Sequence, residues 1–322
     1  MANYELVFDL GSLYVSAGLR EDGFVDKIPS VVAYAGGDSK QIVAVGLDAL
    51  NLAKTNASVK LSHPVLEGAA IDPVGVKALI TSLLGRLLSK RVNVFNRFLA
   101  TCVVPCGMIS GDKKNIESIF LGVGARSVSF VETPLVDSVK MFSEFRARQG
   151  VVVDLGYECA DLAVVYGNEI VAGCTLYHAG KQLTEAISHR LSSKYMSQIP
   201  FEQAEYLKLN CASLYSNDST SVSVTCQNVQ NGATEELNVT SKELFDTVVD
   251  FVTQYVKIIE SLLSSIPQDL LSDIKSEGVM ICGGGAKLTG LDMFLQNELG
   301  VPVRIANRPE NVSIEGALSW NK

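Results

Sequence analysis

The clearest pattern of apolar and polar residues lies near the middle of the chain, where Val151 to Val165 reads VVVDLGYECADLAVV. A run of valines leads into Asp154, Leu155 and Gly156, and a second apolar segment follows within a few positions. This pattern predicts a strand, a tight turn and a returning strand. A carboxylate therefore lies at the mouth of the predicted turn.

The same pattern occurs near the N-terminus, in the segment ELVFDLGSLYVSAGL. Asp9 and Gly11 occupy the places there that Asp154 and Gly156 occupy in the central segment. The repeat predicts a duplicated chain, in which two similar halves each offer a hairpin turn and an acid. Two such turns facing each other would bind a ligand between the halves. Backbone N–H groups of a glycine turn can bind phosphate oxygens, and an adjacent aspartate can hold, through water, the Mg²⁺ that accompanies a nucleotide.

A third, glycine-rich segment strengthens this interpretation, because Asp-Leu-Gly by itself is also an ordinary strand-end turn. The residues from Gly278 to Val303 read GVMICGGGAKLTGLDMFLQNELGVPV and predict a strand, a turn, a helix and a strand. Gly283, Gly284 and Gly285 follow the first of these strands, so the backbone there can approach a flat ligand closely. The turn leads towards a helix that begins near Leu291. A glycine loop without a ligand is the alternative, and the order of the three segments favours a nucleotide site.

Further segments in a fixed order carry a family resemblance over nearly the whole chain. Between and around the two hairpins and the triple glycine they are IPSVVAY (Ile28 to Tyr34), VGLDALNLAKT (Val45 to Thr55), GARSVSFVETP (Gly124 to Pro134), AGKQLTEAI (Ala179 to Ile187) and AEYLK (Ala204 to Lys208). With these motifs the chain resembles the actin-like ATPases and, within them, the MreB-like bacterial actins.

The resemblance implies an α/β fold built from duplicated ribonuclease H-like domains, with a nucleotide cleft between them. It places domain I at residues 1–148 and domain II at residues 149–322. Small outer subdomains would be inserted at about 30–70 and about 198–245. The cofactors it implies are ATP or ADP together with Mg²⁺.

The resemblance also implies which residues contact the nucleotide. A glycine at the place of Gly180 lies near the nucleotide in the family, and a pair like Glu205 and Lys208 lies against the adenosine. An exposed helical ion pair is the alternative explanation of that pair. Asp9 and Asp154 would hold Mg²⁺ through water. The predicted nucleotide-binding residues are Asp9, Gly11, Ser12, Leu13, Tyr14, Asp154, Gly156, Tyr157, Glu158, Gly180, Glu205, Lys208, Gly283, Gly284 and Gly285.

The chain departs from the family pattern at the position that orients the attacking water. MreB-like proteins typically have a glutamate immediately before the proline of this segment, and here the residue is Thr133. Glu132 lies one place earlier and should therefore point elsewhere. A hydroxyl can hold a water molecule but cannot act as a comparable base. We therefore predict that catalysis at Thr133 is impaired.

The phosphate side of the cleft departs from the pattern as well. Leu13 and Tyr14 replace small and polar residues in the first turn, and Tyr157 and Glu158 stand in the second turn where the family typically continues with glycines and threonines. The tyrosine and the anionic glutamate should crowd the space of a γ-phosphate, and Glu158 should repel it. Two versions remain open: a slow ATPase, and a pseudo-ATPase that binds nucleotide weakly or not at all.

Composition limits the class of protein. Of the 322 residues 47% are hydrophobic and 19% charged, which excludes a disordered chain. The net charge of −8, without a dense Lys/Arg run, argues against nucleic acid as a partner. Seven scattered cysteines indicate reduced thiols and a cytoplasmic location. We expect neither a secretion signal nor a transmembrane span of about 20 apolar residues.

One segment suits a membrane surface. Val94 and Phe95 lie between basic residues in KRVNVFNRF, from Lys90 to Phe98. Apolar side chains at such a tip can enter the lipid interface while Lys and Arg pair with anionic headgroups. MreB proteins resemble this, with a small hydrophobic loop in the same place. Packing of these side chains on the first domain is the alternative.

Two hypotheses about function follow. The first is an MreB-like cytoskeletal protein that forms filaments with itself, or with other MreB-like proteins, at the cytoplasmic face of the membrane. There it would act in cell shape and the positioning of cell-wall synthesis. The second is a soluble kinase or another ATPase of the same fold with a small substrate. Sedimentation separates the two, because filaments pellet and a kinase does not.

Two helix starts are also predicted. Asp72 followed by Pro73 is typical of a helix N-terminus, and Ser241 should cap a long helix that Pro267 ends.

Overall fold

The computed structural model describes residues 4–21, 23–36, 41–88 and 98–320. In the first half, the elements are β1 (Tyr4–Leu10), β2 (Tyr14–Leu19), β3 (Phe24–Pro29), β4 (Val32–Tyr34), β5 (Ile42–Val45), α1 (Gly46–Thr55), β6 (Lys60–Ser62), β7 (Val65–Leu66), β8 (Ala69–Ala70), α2 (Pro73–Leu88), β9 (Phe98–Val104), α3 (Ser110–Gly122), β10 (Ala125–Glu132) and α4 (Thr133–Phe145).

The second half begins after α4. Its elements are β11 (Gln149–Leu155), β12 (Ala160–Tyr166), β13 (Glu169–Leu176), α5 (Gly180–Tyr195), β14 (Ser197–Gln198), α6 (Phe201–Cys211), β15 (Ser221–Asn228), β16 (Thr234–Thr240), α7 (Ser241–Ser265), α8 (Gln268–Glu277), β17 (Val279–Cys282), α9 (Leu291–Leu299), β18 (Val303–Ile305) and α10 (Val312–Ser319).

Each half contains a five-stranded mixed sheet with the same arrangement. The orders are β3-β2-β1-β9-β10 and β13-β12-β11-β17-β18. In both, three antiparallel strands are followed by two strands parallel to the central one. The duplication predicted from the two Asp-Leu-Gly hairpins is therefore present in the sheets, and both hairpins form as β1 with β2 and β11 with β12.

Separate apolar cores hold the two sheets against their helices. In the first half, Phe8 of β1 is fully buried and meets the ring of Phe120 of α3 edge-on at 4.7 Å between centroids. In the second half, Leu162 of β12 packs in a buried cluster with Ile187 and Leu191 of α5. Burying one such side chain stabilises the folded state by about 2 kcal/mol.

Helices α4 and α10 pack closely between the two sheets. A Cβ atom on Gly316 of α10 would lie 1.9 Å from the carbonyl oxygen of Val136 of α4. Only glycine permits this approach, so the C-terminal helix is fixed against the helix that joins the halves.

Two small sheets lie in the ranges predicted for the outer subdomains. They have the orders β5-β4-β6 and β14-β15-β16. The boundaries of the subdomains and of the two domains stay predictions. Among the described residues, we find no helix that is both long and apolar enough to cross a bilayer.

The helix starts follow the prediction in one case and correct it in the other. At α2, the N–H group of Gly75 donates to Asp72 at 3.0 Å, as predicted for a capping aspartate. At α7, the capping residue is Thr240 and not Ser241. The hydroxyl of Ser241 donates instead to the carbonyl of Asp218 at 2.8 Å. Glu243, three residues after Thr240, accepts the Thr240 N–H at 2.9 Å, which is half of a capping box.

Glu243 should stabilise the fold above acidic pH. Burial raises the pKa of Glu243, but hydrogen bonds from Lys194, Tyr195 and Thr240 outweigh burial and bring it from 4.5 to about 2. A pKa below the unfolded value stabilises the fold above pH 4.5, and this stabilisation is lost as the pH falls towards 2. We expect Glu243→Gln to lower the free energy of unfolding at neutral pH by about 2 kcal/mol.

Urea unfolding at a series of pH values tests this expectation. The difference between wild type and Glu243→Gln should shrink as the pH is lowered, while the exposed-site control Glu236→Gln should match wild type throughout. A difference that stays constant down to the lowest pH at which the protein folds would contradict the assigned hydrogen bonds.

Candidate functional site

The first predicted turn joins β1 to β2 and requires its glycine. A Cβ atom on Gly11 would lie 2.6 Å from the carbonyl oxygen of Tyr14. Asp9 and Ser12 are half-buried, whereas Leu13 and Tyr14 are 45% and 44% exposed. The two residues that depart from the family pattern therefore present their side chains at the surface of the turn.

The second predicted turn is bound to the start of α5. The N–H group of Gly156 donates to Cys159 at 2.9 Å and closes the turn. The N–H groups of Gly180 and Lys181 then donate to the carbonyl oxygens of Gly156 at 3.2 Å and Tyr157 at 2.7 Å. Free N–H groups at a helix N-terminus are the donors that would otherwise bind an anion. Here two of them are used by the turn itself.

The aspartates of both turns have raised pKa values. Burial raises the pKa of Asp154 to about 8, with further increases from Asp161 and Asp9. Burial also raises the pKa of Asp9 to about 6, with Asp161 adding to the increase and Lys27 opposing it. Both carboxyls gain their negative charge with difficulty, chiefly because burial removes them from water and secondarily because other acids lie nearby. Hard oxygen ligands in this setting fit a hydrated Mg²⁺, whose charge would favour the ionised form.

The predicted adenosine-side residues meet at one place. Lys208 on α6 pairs with Glu205 at 2.8 Å and donates to the carbonyl oxygen of Gly180 at 2.8 Å. Its ammonium lies 5.8 Å from the ring centre of Tyr157, and the hydroxyl of Thr184 donates to Glu205. Burial lowers the pKa of Lys208, and the bond to Glu205 opposes this. The pair is therefore part of a network with the second turn and not an isolated surface ion pair.

The triple glycine lies directly against the second turn. Gly283 has φ +80°, and a Cβ atom there would lie 2.1 Å from Oδ1 of Asp154 and 2.5 Å from the carbonyl oxygen of Leu155. A Cβ atom on Gly285 would lie 2.8 Å from Leu155. Gly284 has open space around it and is exposed. The first and third glycines thus permit close packing, and the middle one faces outward.

The hydroxyl of Thr133 is used by the backbone. Thr133 is the first residue of α4, is 6% exposed, and donates to the carbonyl oxygen of Val104 at 3.0 Å. Glu132 precedes the helix in extended conformation, as the N-cap residue. Thr133 therefore offers no acid, and its one donor already has a partner.

Glu158, expected to repel a γ-phosphate, has partners that sequence analysis did not identify. It is only 5% exposed, and its Oε1 pairs with Nζ of Lys181 at 2.9 Å. Its Oε2 accepts the N–H group of Glu67 at 3.0 Å, from the β7–β8 hairpin of the other half. The carboxylate therefore already holds a cation and an N–H group, the two kinds of donor that a phosphate oxygen would use.

A second set of contacts also joins the two halves. Oδ1 of Asp161 accepts the N–H group of Cys106 at 2.8 Å, and the hydroxyl of Thr175 donates to the carbonyl oxygen of Cys106 at 2.9 Å. Asp161 is 4% exposed. Burial raises the pKa of Asp161 to about 6, against the lowering effect of hydrogen bonds that the Thr175 hydroxyl and the Cys106 N–H group donate to it. The loop after β9 is thus fixed to β12 and β13.

Sequence analysis missed Glu67, Lys181, Asp161 and Cys106 as cleft residues. One signal was available, because a lysine in the first turn of a helix opposes the helix dipole and so calls for an acidic partner. The bonds of Glu67 and Cys106 use backbone N–H groups, which carry no side-chain signature. Val94 and Phe95, predicted to contact the membrane, lie outside the described residues.

Comparison with known proteins identifies relatives over the full chain. The family model "MreB/Mbl protein" matches residues 3–322. Cell shape-determining protein MreB of Escherichia coli K12 is 28% identical over 315 residues, which are 96% of this chain and 90% of that protein. Cell shape-determining protein Mbl of Bacillus subtilis 168 is 28% identical over 308 residues, 95% of this chain and 92% of that protein.

Solved structures show the same fold at lower identity. MreB5 of Spiroplasma citri bound to AMPPNP superposes with a TM-score of 0.90 at 22% identity, covering 98% of this chain and 95% of that one. The MamK double helical filament gives a TM-score of 0.83 at 16% identity, covering 99% and 98%. These likenesses establish an actin-like fold, as the resemblance implied. Together with the family match over nearly every residue, they show that this chain is a member of the MreB/Mbl family of bacterial actins.

Proposed function

We propose that this chain is a cytoskeletal protein that assembles into filaments and acts in cell shape and the positioning of cell-wall synthesis. The names of the MreB and Mbl relatives and the filament formed by MamK support this role. Its partners would be further copies of itself and other MreB-like filament proteins. It would lie in the cytoplasm at the inner face of the membrane, with Val94 and Phe95 in contact with lipid. No observation on the described residues favours a soluble kinase.

The cleft between domains I (1–148) and II (149–322) would be the place for ATP or ADP with Mg²⁺. MreB5 of Spiroplasma citri has been solved with AMPPNP and with ADP, which supports this placement. Asp9 and Asp154 would hold the hydrated metal ion, which supplies positive charge to the phosphates. The predicted residues of both turns, of α6 and of the triple glycine would surround the nucleotide.

Hydrolysis would be weak or absent, and the contacts of Glu158 are the observation that carries this proposal. A carboxylate buried in the second turn, paired with Lys181 and bonded to Glu67 of the other half, supplies an anion where a γ-phosphate would be expected. It joins the halves by contacts that a bound phosphate could otherwise make. Thr133 adds to the effect, because its hydroxyl is bonded to Val104 and cannot act as a base.

Calorimetric titration with ATP and Mg²⁺, and separately with AMPPNP, tests the proposal. We expect weak binding to wild type and binding to Glu158→Gln that is tighter by at least about tenfold. Glutamine keeps the shape of the side chain but removes a negative charge near the phosphates, and such a repulsion amounts to about 1 to 4 kcal/mol at 4 Å.

Glu236→Gln, which removes an exposed charge from the outer hairpin, is the matched control and should bind as wild type does. Tight binding to wild type that Glu158→Gln does not improve would show that the carboxylate leaves the phosphate space free, and the proposal of a blocked phosphate site would fail.

A further inference from the structure

One buried carboxyl, that of Asp137 on α4, has no role in the nucleotide site described above. Asp137 is 0% exposed, and neither of its oxygens has a hydrogen-bond partner among the described residues. The same holds for Oδ1 of Asp154. A buried polar atom without a partner costs about 1 to 3 kcal/mol, and an unpaired carboxylate costs more. Three such atoms in one place point to a group that completes them.

Cys282 lies beside these two aspartates, and the three side chains together could hold a metal ion. One carboxylate oxygen each from Asp137 and Asp154 and the sulfur of Cys282 all lie within 4.8 Å of one another. Cys282 is 0% exposed and is the register partner of Asp154 on the adjacent parallel strand. The three side chains thus come from α4, β11 and β17, which are far apart in the chain and meet beside the second turn.

Among the described residues, the charged groups that act most strongly on Asp137 are other acids, and no cation lies among them. Burial raises the pKa of Asp137 well above its usual value, and Asp154 and Asp161 raise it further. The hydroxyl of Ser313 and the thiol of Cys282 lie close enough to lower it, although neither makes a hydrogen bond of normal geometry to Asp137. No lysine or arginine among the described residues donates a hydrogen bond to it. Two carboxyls this deeply buried, with oxygens within 4.8 Å of each other, need a neutralising group, either a proton or a positive ion.

We propose that Asp137, Asp154 and Cys282 bind a divalent transition-metal ion, for which Zn²⁺ is the best match. A thiolate with two carboxylates suits a borderline-soft ion, whereas Mg²⁺ prefers oxygen ligands alone. Binding would release the thiol proton of Cys282, because a coordinating thiol is deprotonated. The hydroxyl of Ser313 or a water molecule can fill the fourth tetrahedral position.

This site differs from the predicted Mg²⁺ site in the cleft. That ion would be held through water by Asp9 and Asp154, whereas the ion proposed here contacts the protein directly and includes sulfur. Bound Zn²⁺ would join the helix between the halves to the two strands that carry the second turn and the triple glycine. It would therefore stabilise the cleft walls whether or not a nucleotide binds.

The test begins with metal analysis of the purified full chain by mass spectrometry, followed by removal of metal and titration with Co²⁺. We expect Zn²⁺ in stoichiometric amount and, with Co²⁺, the near-ultraviolet charge-transfer band that a thiolate ligand produces. Cys282→Ser should abolish this band. Asp137→Asn should weaken Co²⁺ binding by at least about 100-fold. Loss of a residue that only hydrogen-bonds a metal ligand weakens binding by about 10- to 100-fold, and loss of a direct ligand should weaken it at least as much.

Cys102→Ser is the matched control, since Cys102 is equally buried but lies in the first-half core. It should keep both the metal and the band. A folded wild-type protein without metal and without the cobalt band would overturn the proposal. In that case a shared proton neutralises the carboxyls, and Asp137→Asn should be at least as stable as wild type.

Discussion

Gly283→Ala is expected to destabilise the protein by about 3 to 5 kcal/mol, whereas Gly284→Ala should change its stability by less than about 0.5 kcal/mol. Gly283 has φ +80°, and its Cβ atom would lie 2.1 Å from Oδ1 of Asp154 and 2.5 Å from the carbonyl oxygen of Leu155. Neither the backbone of β11 nor the buried carboxyl can move away cheaply. Gly284 is exposed and has no atom within 4 Å of its Cβ position.

Urea unfolding followed by circular dichroism compares the two variants directly. The midpoint should fall strongly for Gly283→Ala, or the variant should fail to fold, and it should stay near the wild-type value for Gly284→Ala. The substitution and the loop are the same, so only the local geometry differs. Equal midpoints for the two variants would mean that the close contact with the second turn does not exist.

The triple variant Thr133→Glu with Tyr157→Gly and Glu158→Gly is expected to release phosphate from ATP about 100-fold faster than wild type, at the lower end of what a positioned acid or base contributes. Glutamate at position 133 would restore an acid that can orient water, in place of a hydroxyl bonded to Val104. The two glycines would remove the buried carboxylate and the ring that lies near Lys208. Space and charge on the phosphate side would then permit catalysis.

A phosphate-release assay under single-turnover conditions measures this effect. The matched control combines the same two glycines with Thr133→Ala, and it should gain affinity for ATP without gaining rate. If the triple variant binds ATP but hydrolyses it no faster than this control does, the loss of the glutamate before Pro134 is not what limits hydrolysis.

Much of the fold was predictable because the chain repeats one local pattern. Apolar runs ending in Asp-Leu-Gly predict a hairpin, and both copies form one. The cap of α7 was also readable, since Glu243 follows Thr240 by three residues and so favours Thr240 over Ser241 as the capping residue. Local signals of this kind need no knowledge of the rest of the molecule.

The contacts between the halves were not predictable, because they depend on tertiary structure. Glu158 was expected only to repel a phosphate, and its partner Lys181 reaches it through the packing of α5. Its second partner is a backbone N–H group of Glu67, a residue with φ +51° in a short hairpin. Asp137 of α4 is completely buried, beside Ser313 of α10 and Cys282 of β17. Burial of a polar residue by distant elements leaves no local trace.

Sedimentation combined with phosphate release in the same sample tests the central claim, that this protein forms filaments without depending on ATP hydrolysis. The protein should pellet as filaments visible by electron microscopy, to the same extent with ATP and Mg²⁺ as with AMPPNP, while little phosphate is released. Contradiction would come from a protein that stays in the supernatant at every concentration. Phosphate release that rises in step with the pelleted fraction would also contradict the claim. So would filaments that form with ATP but not with AMPPNP.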